Sequence, residues 1–399
     1  MFTLDQLKER YNHEQILVIL CSRYQFGTET AENIEQFIQR ADMDWELFYK
    51  LLKSHSISSF VYHLISKLPL SIPDAYRTMI KQEAIRRSMI NMHHMTQLVA
   101  ILRDFEALDI KVIPYKGVSF AAAYYPALGT REGSDIDLLV NKDDVKKIRN
   151  YFQGKRFEAK TDVPDGFLNY FLFFFKELVF KTPKDSLQIN CSIEVQWKLL
   201  DRYHGDFEHY SFFAPHLQRY LYEGRELCKL SPTYELLCVG SNHLIKDHLY
   251  SFKYLIDLAC LIHRNGKDID HKLLSDSLEK FGHRGLFYGG LNAIDQLLGI
   301  RIDGLANEVA AKGFSLNSPI AFPLIKKTEN LGFNGIRGAL TYDDKIFSRL
   351  KRKMRILAYL LIPNTNDIKV FRLPVYLLPV MFLLKPFRLT YNLITGNKR

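Results

Sequence analysis

Two aspartates head an apolar run, Ser134-Asp135-Ile136-Asp137-Leu138-Leu139-Val140, and this segment constrains the fold more than any other. The apolar residues read as a β-strand, and strand side chains alternate between faces, so Asp135 and Asp137 project to the same side. Like charges held that close repel one another unless a cation sits between them. A divalent ion is the usual solution, and Mg²⁺ fits best through its oxygen preference and its partnership with phosphates. A solvated strand start is the competing reading of a bare Asp-x-Asp, because Ser-Asp pairs are also turn chemistry. The residues around the pair favour the metal.

The chain has 399 residues, enough for two domains and a full core. Its 47% hydrophobic and 25% charged content is that of an ordinary globular protein. Five scattered cysteines (Cys21, Cys191, Cys228, Cys238, Cys260) form no Cys-x-x-Cys pair, which predicts free thiols and argues against a disulfide scaffold or a zinc site. The N-terminal residues carry an acid and no apolar core, so a secretory signal is not expected and a cytoplasmic location is. The net charge of +10 suggests nucleic acid until it is mapped. Residues 351–399 hold ten basic residues and one acid, Asp367, so +9 belongs to the tail. The rest is near neutral, and phosphate-backbone binding is expected, if anywhere, only at that end.

Helical spacing marks Trp45–Leu52, Phe60–Ile65 and a long amphipathic run over Ala84–Leu108. The period then changes. Ile110–Tyr115 reads as a strand, Lys116-Gly117 as a turn, and Val118–Tyr125 as a helix stopped by Pro126. After the Asp135 strand comes a helix from Asp143 to Phe152, with Asn141 as its expected cap. Gln188–Lys198 alternates strictly, with Ile189, Cys191, Ile193, Val195 and Trp197 on one face and Glu194 and Gln196 on the other. That pattern predicts a strand with one face on a core and one on solvent or a cleft. Thr233 to Leu298 turns helical again. The expected fold class is α+β. A small mixed sheet (109–200) follows a helical N-terminal region (1–108), and a helical C-terminal domain (201–350) and a basic apolar tail (351–399) come after it.

Three features converge on one site. The strand-Lys116-Gly117-helix turn could present backbone amides and a helix N-terminus to an anion. Asp135 and Asp137 would hold metal, and Glu194, on the polar face of another strand, could supply a third carboxylate. Three carboxylates beside a phosphate-binding turn are the minimal equipment for two-metal nucleotidyl transfer.

These residues carry a resemblance. Lys116-Gly117, then Arg131-x-x-Ser134-Asp135-Ile-Asp137, then Ile193-Glu194-Val-Gln-Trp197 resemble the uncharacterised bacterial nucleotidyltransferases of the DNA polymerase beta superfamily. Leu236–His243, Phe252–Ala259 and the tail from Leu360 to Arg388 resemble outer parts of one branch, so the likeness spans most of the chain. The resemblance implies Asp135, Asp137 and Glu194 as catalytic and metal-binding carboxylates, with Glu194 close to the acceptor. It implies two Mg²⁺ ions, a nucleoside triphosphate substrate, and Gly117 as the turn that lets triphosphate approach the backbone. The chain departs from the pattern twice. Val118 follows Gly117 where the superfamily has Ser, and the interval to Asp135 is longer than usual, so Ser119 is the candidate replacement hydroxyl, or Lys116 and Arg131 hold the phosphate. Gln196 stands where the branch has His, and Gln can donate a hydrogen bond but cannot shuttle a proton near neutral pH.

Several residues carry two readings. Arg131 would either neutralise triphosphate or pair with Glu132 or the aspartates. Lys116 is favoured for phosphate contact, from its place beside a helix start. His243 and Asp247 share a helix face, with His248 beside them, and a satisfied buried histidine outweighs a metal site there. Asp257, alone in an apolar helix, must be paired or face a cleft, and pairing with a neighbouring element is favoured. Phe171–Phe175 reads as core or lid before it reads as a base-stacking platform. The tail run Leu373–Leu384 is too short to span a bilayer. Packing on the body is favoured for it, with weak association to anionic membrane as the alternative. The expected function is metal-dependent transfer of a nucleoside monophosphate to an acceptor hydroxyl on a small molecule, sugar or modified peptide, and not on nucleic acid. A catalytically silent nucleotide sensor or membrane-peripheral scaffold is the competing class.

Overall fold

The computed structural model describes residues 1–133, 135–184, 189–204, 209–247, 249, 251–312 and 346–395. It opens with five short helices, α1 (Leu4–Lys8), α2 (His13–Gln25), α3 (Ala31–Arg40), α4 (Trp45–Ser54) and α5 (Ser58–Ile65). Their starts follow cap chemistry. Asp44 accepts from the Leu47 amide at 2.9 Å and opens α4, whose Phe48, Leu51 and Leu52 are buried at helical spacing. Helix α6 (Asp74–Ala107) begins ten residues before the expected Ala84, directly after Pro73. Its first turns are mostly polar, with Tyr76, Met79 and Ile80 the only large apolar side chains; Ile80 is buried there, and Glu83 pairs with Arg86 and Arg87.

The sheet follows. Strand β1 (Val112–Pro114) leads through the Lys116-Gly117 turn into α7 (Gly117–Tyr124), then a loop to β2 (Asp135–Val140), α8 (Val145–Gly154), β3 (Glu158–Ala159), α9 (Leu168–Phe174), β4 (Glu177–Lys181) and β5 (Ser192–Gln196). The strand order is β1-β2-β5-β4-β3. Among the described strands only β2 and β5 run parallel, and their register sets Asp137 against Glu194. Past Asp135, β2 is buried throughout, from Ile136 to Val140. Asn141 caps a short 3-10 turn (Lys142–Asp144) ahead of α8, and the helix proper starts at Val145. Strand β5 is shorter than the alternation around it, although Thr182 donates to the Cys191 carbonyl and Trp197 to that of Lys176 at 2.9 Å just beyond its ends, and Cys191 and Trp197 stay buried on the core face. Gln188, the first residue of that pattern, lies outside the described residues.

Two strands and a hairpin lie beyond the sequence reading. Strand β4 is hidden by the aromatic run before it. A hairpin of β6 (Leu217–Tyr222) and β7 (Arg225–Leu230) turns through Glu223 and Gly224, both at positive φ. It is preceded by α10 (Tyr210–Phe213). The helical region expected from Thr233 is divided into α11 (Pro232–Gly240), a π-helical turn (Ser241–Lys246), α12 (Phe252–Asn265), α13 (His271–Phe281), α14 (Arg284–Leu298) and α15 (Ala306–Lys312). After residue 345 come α16 (Ile346–Leu360), α17 (Thr365–Phe371) and α18 (Leu378–Thr395).

Two buried clusters hold the chain together. One joins α2–α5 to α11–α14 and includes Tyr115, Phe120 and Tyr125 beside the turn. The other lies on the sheet and takes in Leu98 and Phe105 of α6, Phe171 of α9, Ile368 of α17 and Met381 of α18. Phe171 is therefore core, and its ring stacks on Phe175 at 4.3 Å. All five cysteines are free thiols, four of them buried. Among the described residues no helix is long and apolar enough to cross a membrane.

Candidate active site

Asp135, Asp137 and Glu194 come together at the head of the parallel pair. Each offers one carboxylate oxygen, and these oxygens lie within 4.8 Å of one another. Register explains the closeness, since Asp137 and Glu194 are cross-strand neighbours and Asp135 sits two residues before Asp137 on the same face. The charge is poorly compensated. Burial, then Asp137, Glu177 and Asp135, push the Glu194 carboxyl up to about 7, while Lys116 pulls it down. An all-oxygen trio with excess negative charge fits a hard divalent cation such as Mg²⁺.

Gln196 organises the trio. Wholly buried, it donates from Nε2 to Asp137 Oδ1 at 3.1 Å and to Glu194 Oε2 at 2.8 Å. Its Oε1 accepts from the Tyr115 hydroxyl. The amide thus spans the two strands and fixes two of the three carboxylates, a task that needs a donor and no proton shuttle.

The Lys116-Gly117 turn lies directly against this group. Lys116 adopts φ 53° and Gly117 φ 51°, both left-handed. A Cβ on Gly117 would sit 2.7 Å from the Asp135 carbonyl oxygen, so only glycine lets the turn press on β2. The Lys116 ammonium is 3.0 Å from Asp137 Oδ1. Burial would lower its pKa, but Asp137, then Tyr115, Asp135 and Glu194, hold it well above the usual lysine value. Ser119, in the first turn of α7, directs its hydroxyl to the Pro114 carbonyl at 3.5 Å.

Arg131 does not pair with Glu132 or with the aspartates of β2. Its Nε and Nη2 each donate at 2.8 Å to the carboxylate of Asp257 on α12, and Nη1 donates to the Gly117 carbonyl at 3.1 Å. Asp257 also meets His243 Nε2 at 2.9 Å and the Tyr125 hydroxyl at 2.5 Å. Burial opposes its charge, yet Arg131 and then His243 hold the carboxyl far below the usual range. The solitary acid of the apolar helix is therefore paired, and His243 is a buried partner in that network, its ring stacked on Tyr254 at 4.3 Å. Glu132 instead accepts from the Ser59 amide and pairs with Arg87. The loop between α7 and β2 is held from the other side by Asn91 of α6, which donates to the Leu128 and Arg131 carbonyls. Ser134 and His248 lie outside the described residues.

The family model described as an uncharacterised nucleotidyltransferase matches residues 41–299. The chain belongs to this nucleotidyltransferase family. The match runs from the N-terminal helices through the sheet to the end of α14, so it includes the trio, the turn and Asp257. Among solved structures, the chain is similar to an antigenic nucleotidyltransferase-like protein from Paracoccidioides brasiliensis. The two are 13% identical with a TM-score of 0.33, over 56% of this chain and 94% of that one. No curated protein matches.

Within this member of the nucleotidyltransferase family, three residues around the site escape the sequence reading. Lys253 of α12 donates to the Glu132 carbonyl at 3.1 Å and feels Arg131, Asp257 and Asp135, with burial lowering its pKa first. Burial pushes the Glu177 carboxyl up, but Lys176, and after it Lys246 at the end of the π turn, hold it below the usual value. Tyr115 supports Gln196. The two lysines stand more than a hundred residues from Asp135 and Asp137 in sequence, and no spacing signal connects them to the trio. Tyr115 was visible as the last residue of a predicted strand, but its hydroxyl partner was not.

Proposed function

We propose that this chain transfers a nucleoside monophosphate from a nucleoside triphosphate to an acceptor hydroxyl, releasing pyrophosphate. The acceptor oxygen bonds to the α-phosphorus, the bond from that phosphorus to the oxygen bridging to the β-phosphate breaks, and the hydroxyl proton is released. The observation that carries this reading is the oxygen trio of Asp135, Asp137 and Glu194 beside the Lys116-Gly117 turn. Asp135 and Asp137 would hold two Mg²⁺ ions, with Glu194 completing the set nearest the acceptor. Bound Mg²⁺ would supply Lewis-acid stabilisation of the charge on the transferring and leaving phosphates. Gln196 keeps Asp137 and Glu194 in register. Gly117 lets the first amides of α7 approach an anion, and Lys116 is placed to exchange Asp137 for a phosphate oxygen. In place of the direct phosphate contact first considered for Arg131, we assign it a positioning role, bracing the turn through the Gly117 carbonyl. A small molecule, sugar or modified peptide suits a near-neutral body better than nucleic acid does.

The test combines turnover with binding. Purified protein supplied with labelled nucleoside triphosphates, Mg²⁺ and a pool of metabolites or cell extract should release pyrophosphate, and chelation should stop it. Asp135→Asn should reduce turnover by about a hundredfold or more, because one of the metal-clamping charges is lost. Mg²⁺ at roughly a hundred times its Kd should stabilise the wild type by about 2.7 kcal/mol, and the variant far less. Without metal, Asp135→Asn should be at least as stable as the wild type, since repulsion within the trio is relieved. Wild-type turnover by the variant would exclude Asp135 from the reaction. Tight triphosphate binding with no product from any acceptor would favour the catalytically silent sensor, a reading supported by Val118 at the turn and the Ser119 hydroxyl facing Pro114.

A further inference from the structure

Helix α18 has its polarity reversed relative to a surface helix in water. Its cations turn inward, where Lys385 Nζ lies 2.9 Å from Asp367 Oδ2 and Arg388 Nε 2.7 Å from Asp367 Oδ1. Asp367 is fully buried between them, and Lys385 also donates to the Ile362 carbonyl. Met381, on the same inward side, is fully buried in the sheet-side cluster. The outward side carries Val380, Leu383, Leu384, Phe387, Tyr391 and Ile394. At helical spacing these six project within an arc of about 100°. Leu383, Phe387 and Ile394 are 70%, 74% and 80% exposed. A contiguous stripe of this kind marks an interaction surface.

Charge identifies what covers it. Between residues 346 and 395 there is one acid, and it is the buried Asp367. The exposed charges of the neighbouring α17 segment, which packs against α18, are Lys369 and Arg372. Lys369 reaches Asp162 at 3.7 Å across the surface, and both side chains stay well exposed. An apolar stripe in a segment, residues 346–395, that exposes cations and no acid of its own matches a surface that offers hydrocarbon below negative headgroups. We propose that α18 docks the protein in the plane of an anionic lipid bilayer, its stripe in the acyl boundary and the basic residues of α17 at the headgroups. Tyr376 and Tyr391 have the apolar ring and polar tip suited to that boundary. The helix has 18 residues with Pro386 inside it, so it lies in the interface and does not span.

Sedimentation of the full chain with phosphatidylcholine vesicles, with and without phosphatidylserine, tests this. The wild type should pellet with the anionic vesicles, and binding should fade as salt rises. Joint replacement Leu383→Glu, Phe387→Glu and Ile394→Glu should cut vesicle binding about tenfold or more at unchanged circular dichroism, since these side chains support no interior packing. Phe387→Trp, a mild exchange at an open position, should give emission that shifts to the blue and is quenched by brominated lipid. Absence of binding to anionic vesicles, or emission from the Phe387→Trp variant that is indifferent to them, would overturn the proposal. Equal binding to neutral vesicles would remove the role given to Lys369 and Arg372. A lipid-free dimer that the triple replacement converts to monomer would assign the stripe to a second copy instead.

Discussion

At the scale of single residues, the site depends on positions where one atom more or less decides the geometry. Gly117 is such a position. Alanine there would combine a left-handed backbone with a Cβ 2.7 Å from the Asp135 carbonyl oxygen. Gly117→Ala should therefore cost about 2–4 kcal/mol, read as a lower midpoint in urea, together with weaker triphosphate binding. The sequence shows this glycine and the pattern around it, so its importance is legible. Gln196 teaches the opposite lesson. Its place beside Glu194 on one strand face is readable from alternation, but its link to Asp137 needs the register of β2 against β5. A glutamine in place of histidine looks like a lost function in the sequence and is a clamp in the fold, donating to Asp137 and Glu194 and accepting from Tyr115.

At the scale of elements, buried carboxylates record how strands and helices are joined. Glu235, in the first turn of α11, accepts from the Leu230 amide at the end of β7 at 2.9 Å. Burial pushes its carboxyl up to about 7, with Leu230 and then Lys229 opposing. The folded value is raised, so the folded state holds the proton more tightly than the unfolded chain. The stability this contributes is complete below the unfolded pKa of about 4.5 and is lost as pH rises through about 7. Glu235→Gln keeps an acceptor oxygen and removes the titration. Urea unfolding should find the two proteins similar near about pH 4.5, and the variant more stable by about 2–3 kcal/mol near about pH 8. A constant difference across that range would mean that Glu235 does not titrate there. The same joint explains why the β6–β7 hairpin escapes a sequence reading. Its strands are half exposed, and only Leu227 and Leu230 are buried, so it is held by packing on β1, α7 and α11 and not by an apolar period.

At the scale of the whole molecule, the Asp257 network ties the helices after the sheet to the turn and loop before β2. Asp257→Asn would leave the buried Arg131 guanidinium without a counter-charge, at a cost of about 3–5 kcal/mol by urea unfolding. It should also raise the KM for triphosphate, because Arg131 braces the Gly117 carbonyl. Arg131→Met combined with Asp257→Leu should regain much of the stability, but not the KM. A double variant as unstable as the single one would mean that packing, and not the unpaired charge, sets the loss. The two buried clusters give this coupling its basis, since α12 shares a core with α2–α5 and with Tyr125 at the end of α7.

The sequence by itself determined the α+β class, the helices and strands around the turn, and the carboxylates Asp135, Asp137 and Glu194. These follow from local rules, because strand alternation and turn chemistry act over a few residues. It also required that Asp257 be paired or face a cleft, with pairing favoured, since an isolated buried carboxylate in an apolar helix is costly. Tertiary structure alone decided the partner, Arg131, which lies 126 residues away. It decided that Lys253 reaches the Glu132 carbonyl from the helical region. It also decided which side of α18 faces out. Periodicity shows that a helix has an apolar stripe but not which side the body covers, and here the buried Asp367 draws the cations inward and leaves the stripe open.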